Sequence, residues 1–90
     1  MKSVWAVEWD ERAVKELKKL GSVAQQRIVR YLEQRVAQSP NPKQLGEALF
    51  GDRRGEWRYR VMDYRIICRI EEDKLVVLVL KVGHRKNVYH

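Results

Sequence analysis

Cysteine is almost absent: Cys68 stands alone in a chain of 90 residues, which excludes an intrachain disulfide framework and a multi-cysteine zinc site. Lying inside an apolar strand pattern, it reads as a buried small hydrophobe in a reducing compartment. There are only two histidines, and no Asp and Glu grouping has the spacing of a metal site, so neither a metal nor another cofactor is expected. The longest apolar run, Leu75 to Leu80, is far too short to span a bilayer. Met1-Lys2-Ser3-Val4-Trp5 has neither the apolar core nor the cleavage site of a secretion signal. The expected location is the cytoplasm, with no membrane partner.

Negative charge is also in short supply, with 19 Lys and Arg against 12 Asp and Glu. The resulting charge of +7 favours a polyanion or an acidic protein as partner, because the summed field steers such molecules and counterion release strengthens nucleic-acid binding. The length suits one domain, residues 1–90, with a single core. Any site must therefore form on the surface of that one unit.

Val4 to Trp9 reads as a strand, and Asp10 as the N-cap of a helix whose Ala13, Val14, Leu17 and Leu20 follow helical spacing. Gly21 ends it. Ser22 with Gln25 matches a capping box opening a second helix, on which Ile28, Leu32 and Val36 form one apolar stripe. Ser39-Pro40-Asn41-Pro42 stops that helix, and a loop with Gly46 and Gly51 follows. Strands are then predicted over Trp57 to Val61, Tyr64 to Ile70 and Leu75 to Val82. The expected fold is α+β, of order β-α-α-β-β-β: an antiparallel meander sheet with a helical hairpin on one face. The last strand is apolar on both alternating sets, so it belongs inside the sheet, with the first strand on its free edge.

Alternation in the first meander hairpin sends Trp57, Tyr59 and Val61 to one side and Arg58 and Arg60 to the other. A turn centred between Met62 and Asp63 sets Arg60 directly opposite Arg65. Like charges so placed destabilise a sheet by roughly 0.2–1 kcal/mol, which points to an anion on that face; a merely solvated arginine face is the plainer alternative, and Glu56 is placed to neutralise Arg69. The run Val82-Gly83-His84-Arg85-Lys86-Asn87-Val88-Tyr89 adds a titratable imidazole, further cations and an aromatic ring at a strand end. These are parts suited to a metal-free ribonuclease, in which the RNA's own 2′-hydroxyl attacks the adjacent phosphate. His84 is the acid-base candidate, because arginine is effectively always protonated. No strong general base stands out; Glu47 and Glu56, in or beside the loop region, are the open possibilities. Trp5, Trp9 and Trp57 are read as core anchors, and Lys15, Lys18 and Lys19 as a solvated edge.

Trp57-Arg58-Tyr59-Arg60-Val61, Asp63-Tyr64-Arg65-Ile66-Ile67 and Val82-Gly83-His84-Arg85 through Val88-Tyr89, in this order, resemble the RelE family of bacterial toxins, within the RelE/ParE superfamily. The resemblance runs over nearly the whole chain. It implies a fold like that of small microbial ribonucleases and a toxin of a type II toxin-antitoxin pair: a metal-independent endoribonuclease that enters the decoding site of the 70S ribosome and cuts mRNA. It further implies a RelB-like cognate antitoxin that holds the toxin inactive, with operator DNA bound only through the antitoxin complex. By position, Arg65, His84, Arg85 and Tyr89 would be catalytic, and Arg58, Arg60 and Lys86 substrate-binding. Where better-known relatives carry lysines, Arg58 and Arg60 stand here, and these can grip phosphate but not act as bases. A ParE-like inhibitor of DNA gyrase on the same fold, or an RNA-binding domain without chemistry, are the competing readings.

Overall fold

The computed structural model describes residues 5–84. It is an α+β fold: β1 (Ala6–Trp9), α1 (Glu11–Lys18), α2 (Ser22–Tyr31), β2 (Glu47–Ala48), β3 (Glu56–Val61), β4 (Tyr64–Glu71) and β5 (Val76–His84). The sheet order is β1-β5-β4-β3-β2. As the apolar pattern of β5 demands, that strand is flanked on both sides, with β1 on the edge that β4 leaves free. The meander β3-β4-β5 is antiparallel, but β1 runs parallel to β5, pairing Ala6 with Val76 through Trp9 with Val79. The meander is antiparallel as expected, the sheet as a whole is mixed because of β1, and it gains a fifth strand, β2, in what the sequence suggests is a loop.

Asp10 caps α1 by accepting a hydrogen bond from the Arg12 amide at 3.1 Å. The predicted capping box of α2 is not formed. Gly21 takes the N-cap position at φ 84°, a conformation open to glycine that starts the helix one residue early, and the Gln25 side chain instead donates to the Lys18 carbonyl. Ile28, Leu32 and Val36 form the predicted stripe and are all fully buried; at roughly 1.5–3 kcal/mol each, they weld the helix to the sheet. The stripe continues past α2 through a π-helical turn, Leu32–Val36, before a short 3-10 turn at Pro42–Leu45.

One cluster unites these side chains with Trp5, Tyr59, Ile66, Cys68, Val77, Val79 and Val82, while Trp9 and Trp57 pack against it half-buried. The helices therefore cover one face of the sheet. Cys68 is a free, buried thiol whose ionisation burial pushes well up, in keeping with a packing role. Beyond Trp9, β5 has no strand on its β1 side, and the side chain of Glu16 on α1 fills part of that gap by accepting the Val82 amide at 2.8 Å. This pins the strand two residues before its end at His84. Among the described residues, no helix is long and apolar enough to cross a membrane, and no group of three or more His, Cys, Asp or Glu is placed to hold a metal.

Candidate functional site

The β3-β4 turn closes on two residues, with Met62 at φ 55°, and Val61 pairs with Tyr64. Arg60 consequently lies directly opposite Arg65, as the alternation predicts. On the same face the next row of the sheet reads Glu47, Arg58, Ile67 and Lys81 across four strands. Ile67 is fully buried although it lies outside the main core cluster; Arg58 and Lys81 flank it in register, and long aliphatic stems of this kind cover apolar surface. Glu56 pairs opposite Arg69, 3.8 Å away, and also holds Arg53 at 2.6 Å, so this second carboxylate is engaged at the far end of the hairpin.

Glu47, one of the two carboxylates the sequence offers near this face, lies against the arginines. Its Oε1 accepts from Arg58 Nη2 at 2.9 Å and lies 3.1 Å from Arg60 Nε. The Arg58 hydrogen bond, with the charges of Arg58, Arg60 and Arg65, holds the carboxyl below its ordinary range. Both contacts fall on Oε1, and the side chain is half-exposed. A carboxylate so held is ionised at neutral pH and stays reachable from solvent. It also offsets part of the repulsion between Arg60 and Arg65.

Three contacts seat the segment carrying Glu47. Tyr59 is buried and its hydroxyl donates to the Pro42 carbonyl at 2.8 Å; burial pushes that phenol up and keeps it neutral. The Lys43 ammonium lies 5.7 Å from the centroid of the Trp57 ring. Gly46 passes so close that a Cβ there would sit 2.9 Å from Tyr59 Cε1 and 3.1 Å from the Arg58 carbonyl oxygen. The buried ring has no room to yield. Gly46→Ala is therefore expected to cost about 1–3 kcal/mol by overpacking, and to return the Glu47 carboxyl toward its ordinary value as β2 is pushed from Arg58. Thermal unfolding and a carboxyl-carbon NMR titration check both, and an unmoved Glu47 titration would show that this seat does not set the ion pair.

The strand β5 runs two residues beyond its predicted end, which changes where His84 lies. Gly83 pairs with Arg65, and His84 with Tyr64. Alternation carries His84 to the helix-covered side, away from Arg65, where its ring meets Tyr64 edge to face at a centroid distance of 6.0 Å. The structure thus brings together Arg58, Arg60 and Arg65, adds Glu47 and Lys81, and sets His84 on the other face. Arg85, Lys86 and Tyr89 lie outside the described residues. Glu47 was hard to locate because a two-residue strand has no periodicity. The signal that points to it is the glycine-rich stretch from Gly51 to Gly55, which can return the chain from Ala48 to Glu56 as a hairpin.

A family model described as the ParE toxin of type II toxin-antitoxin system, parDE, matches residues 7–89. Among solved structures, the chain is similar to the toxin-antitoxin complex RelBE2 from Mycobacterium tuberculosis, with 24% identity over 92% of this chain and 93% of that one at a TM-score of 0.83. It is also similar to the isolated E. coli RelE toxin, 29% identical over 94% and 90% of the two chains at a TM-score of 0.71. The intact E. coli RelBE toxin-antitoxin complex matches with 26% identity over 89% and 95%, at a TM-score of 0.69. No curated protein matches the sequence.

Proposed function

We propose, from the premise that this chain belongs to the ParE toxin family of type II toxin-antitoxin systems, that it is a metal-independent endoribonuclease which cleaves mRNA on the ribosome and is restrained by an antitoxin. The observation that carries this reading is the Glu47 carboxylate held between Arg58 and Arg60, beside the opposed Arg60 and Arg65. Cleavage by internal attack needs a base at the 2′-hydroxyl, donors for the phosphoryl oxygens and a proton for the departing 5′-oxygen. In the proposed mechanism the Glu47 carboxylate takes the 2′-hydroxyl proton, and the 2′-oxygen attacks the adjacent phosphorus. The guanidiniums of Arg60 and Arg65 hold the phosphoryl oxygens and the charge that builds on them. The 5′-oxygen leaves with a proton taken from solvent water, which breaks the P–O5′ bond and leaves a 2′,3′-cyclic phosphate.

Arg58 keeps Glu47 ionised and aimed rather than acting on the substrate. Arg85 supplies further charge to the phosphate and Tyr89 a surface for the base; both assignments follow from their positions in the motif. For His84 the Tyr64 contact supports a positioning role, steadying the end of β5 from which Arg85 departs. The RelE structures that this chain resembles include complexes with antitoxins, and an excess of seven positive charges suits an acidic antitoxin here. Repression of the operon through the antitoxin complex belongs to the same reading.

The name of the matching family favours one other reading, a ParE-like toxin directed at DNA gyrase. Induced expression separates the two. Protein synthesis is expected to stop, and primer extension on ribosome-bound message to show cuts in phase with codons, unaffected by a chelator. Gyrase-dependent DNA breaks with intact message would overturn the nuclease and establish the rival, whereas RNA binding with neither effect would leave a domain without chemistry.

A further inference from the structure

A second basic feature lies between α2 and the outer edge of β3. Only Arg58 and Trp57 of β3 are paired by β2, so the stretch Tyr59–Val61 has no strand outside it. There the sheet edge and the helix form a groove of about 620 Å³, lined by Arg27, Arg30, Tyr31 and Arg35 on the helical side and by Arg60 and Met62 on the other. No Asp or Glu lines it. Arg27, Arg30 and Arg35 are exposed and form no ion pair among the described residues. Guanidiniums stacked along one helix stripe without a counter-charge repel one another, so the row is stabilised by whatever anion fills it.

Arg60 belongs to both this groove and the Glu47 cluster. A polymer gripped at the candidate site can pass over the edge of β3 and into the groove without crossing a carboxylate. From Arg27 to Arg35 the helix rises about 12 Å, room for a few consecutive phosphates, and the half-buried Tyr31 offers a ring edge and hydroxyl between them. We infer that this groove is a second RNA site, which holds the phosphodiester backbone of a single strand beyond the scissile position. The inference builds on the nuclease reading of the Glu47 face. It assigns to α2 a binding role that the chemistry itself does not use.

The test uses the full chain, with Arg27→Gln, Arg30→Gln and Arg35→Gln combined, and a single-stranded RNA of about twenty nucleotides whose 2′-hydroxyls are methylated against cleavage. With three phosphate contacts removed, the slope of log affinity against log salt is expected to fall by about 2, at roughly 0.7 per contact, and binding at moderate salt to weaken at least about tenfold. A methylated trinucleotide, too short to occupy both places, is expected to bind wild type and variant alike. An unchanged slope overturns the inference, as does an equal loss with the trinucleotide, which would mark a general charge effect. So does loss of polyglutamate binding with RNA binding intact, which would assign the groove to an acidic protein segment. Should circular dichroism show that the triple variant loses helix, Arg27→Gln and Arg35→Gln are read singly, each with a slope change of about 0.7. Cleavage of ribosome-bound message by the wild type is scored separately: its absence with a reduced slope sinks the nuclease and leaves the groove, and its presence with an unchanged slope does the reverse.

Discussion

Glu47→Gln is expected to lower the rate of RNA cleavage by about 10²–10⁴-fold, the usual worth of a positioned general base. The amide keeps the shape of the carboxylate and can still accept from Arg58 through its oxygen, so the fold and the β2-β3 pairing are expected to survive. It cannot take a proton. Affinity for a methylated, uncleavable RNA is expected to hold or rise, because the carboxylate no longer competes with phosphate for Arg60. Undiminished cleavage by this variant would remove Glu47 from the mechanism. The pH profile gives a second readout with a definite sign. The guanidiniums hold the Glu47 carboxyl below its ordinary value, so the wild-type rate is expected to fall on the acid side only once pH drops through that lowered value, below the usual carboxylate range near about 4.3. Arg58→Ala removes the largest cause and is expected to move that acid limb upward. The same shift favours the folded state above the unfolded carboxyl's range and loses that effect as pH falls through the folded one. Half-exposed as Glu47 is, its weight there is small.

Arg65→Ala is the second large effect. Removing a preorganised donor from a developing oxyanion costs about 10²–10³-fold in rate, and of the opposed pair it is Arg60, not Arg65, that forms the ion pair with Glu47. Stability is expected to move the other way. Arg65 faces Arg60 across β3 and β4, so its removal relieves a like-charge contact worth roughly 0.2–1 kcal/mol. Cleavage should therefore collapse while the melting temperature holds or rises slightly. A protein that loses activity only because it unfolds would show the opposite, and full activity in Arg65→Ala would remove the phosphate grip assigned to this pair. The combination separates a functional arginine from a structural one.

The competing gyrase reading predicts neither result, since displacing a base and a phosphate donor matters only where RNA is cut. Both variants can be scored for toxicity as well as for cleavage. Retained growth arrest with lost cleavage would tie toxicity to the fold's other surfaces instead.

How far the site was legible depended on whether its residues sit on regular elements. Arg60 opposite Arg65 follows from a period of two and a two-residue turn, and both are local properties. His84 was harder, because an apolar pattern stops at Val82 while pairing with Tyr64 carries β5 on to residue 84. Two residues of added strand decide which face the imidazole takes. Ser22 misled in a similar way: the motif for a side-chain cap was present, but Gly21 at positive φ made it unnecessary.

By itself the sequence determined the two helices, the apolar stripe Ile28, Leu32 and Val36, the meander, its register and the arginine face, because each is written in the periodicity of neighbouring residues. It also carried the motifs by which the family is known. Only the tertiary structure decided that β1 runs parallel to β5, that His84 turns to Tyr64, and that Glu47 meets Arg58 and Arg60. These depend on which segments pair across the fold. A two-residue strand such as β2 has no period of its own to reveal it; the packing of Gly46 and Tyr59 brings it to the sheet edge, and with it the carboxylate on which the proposed chemistry turns.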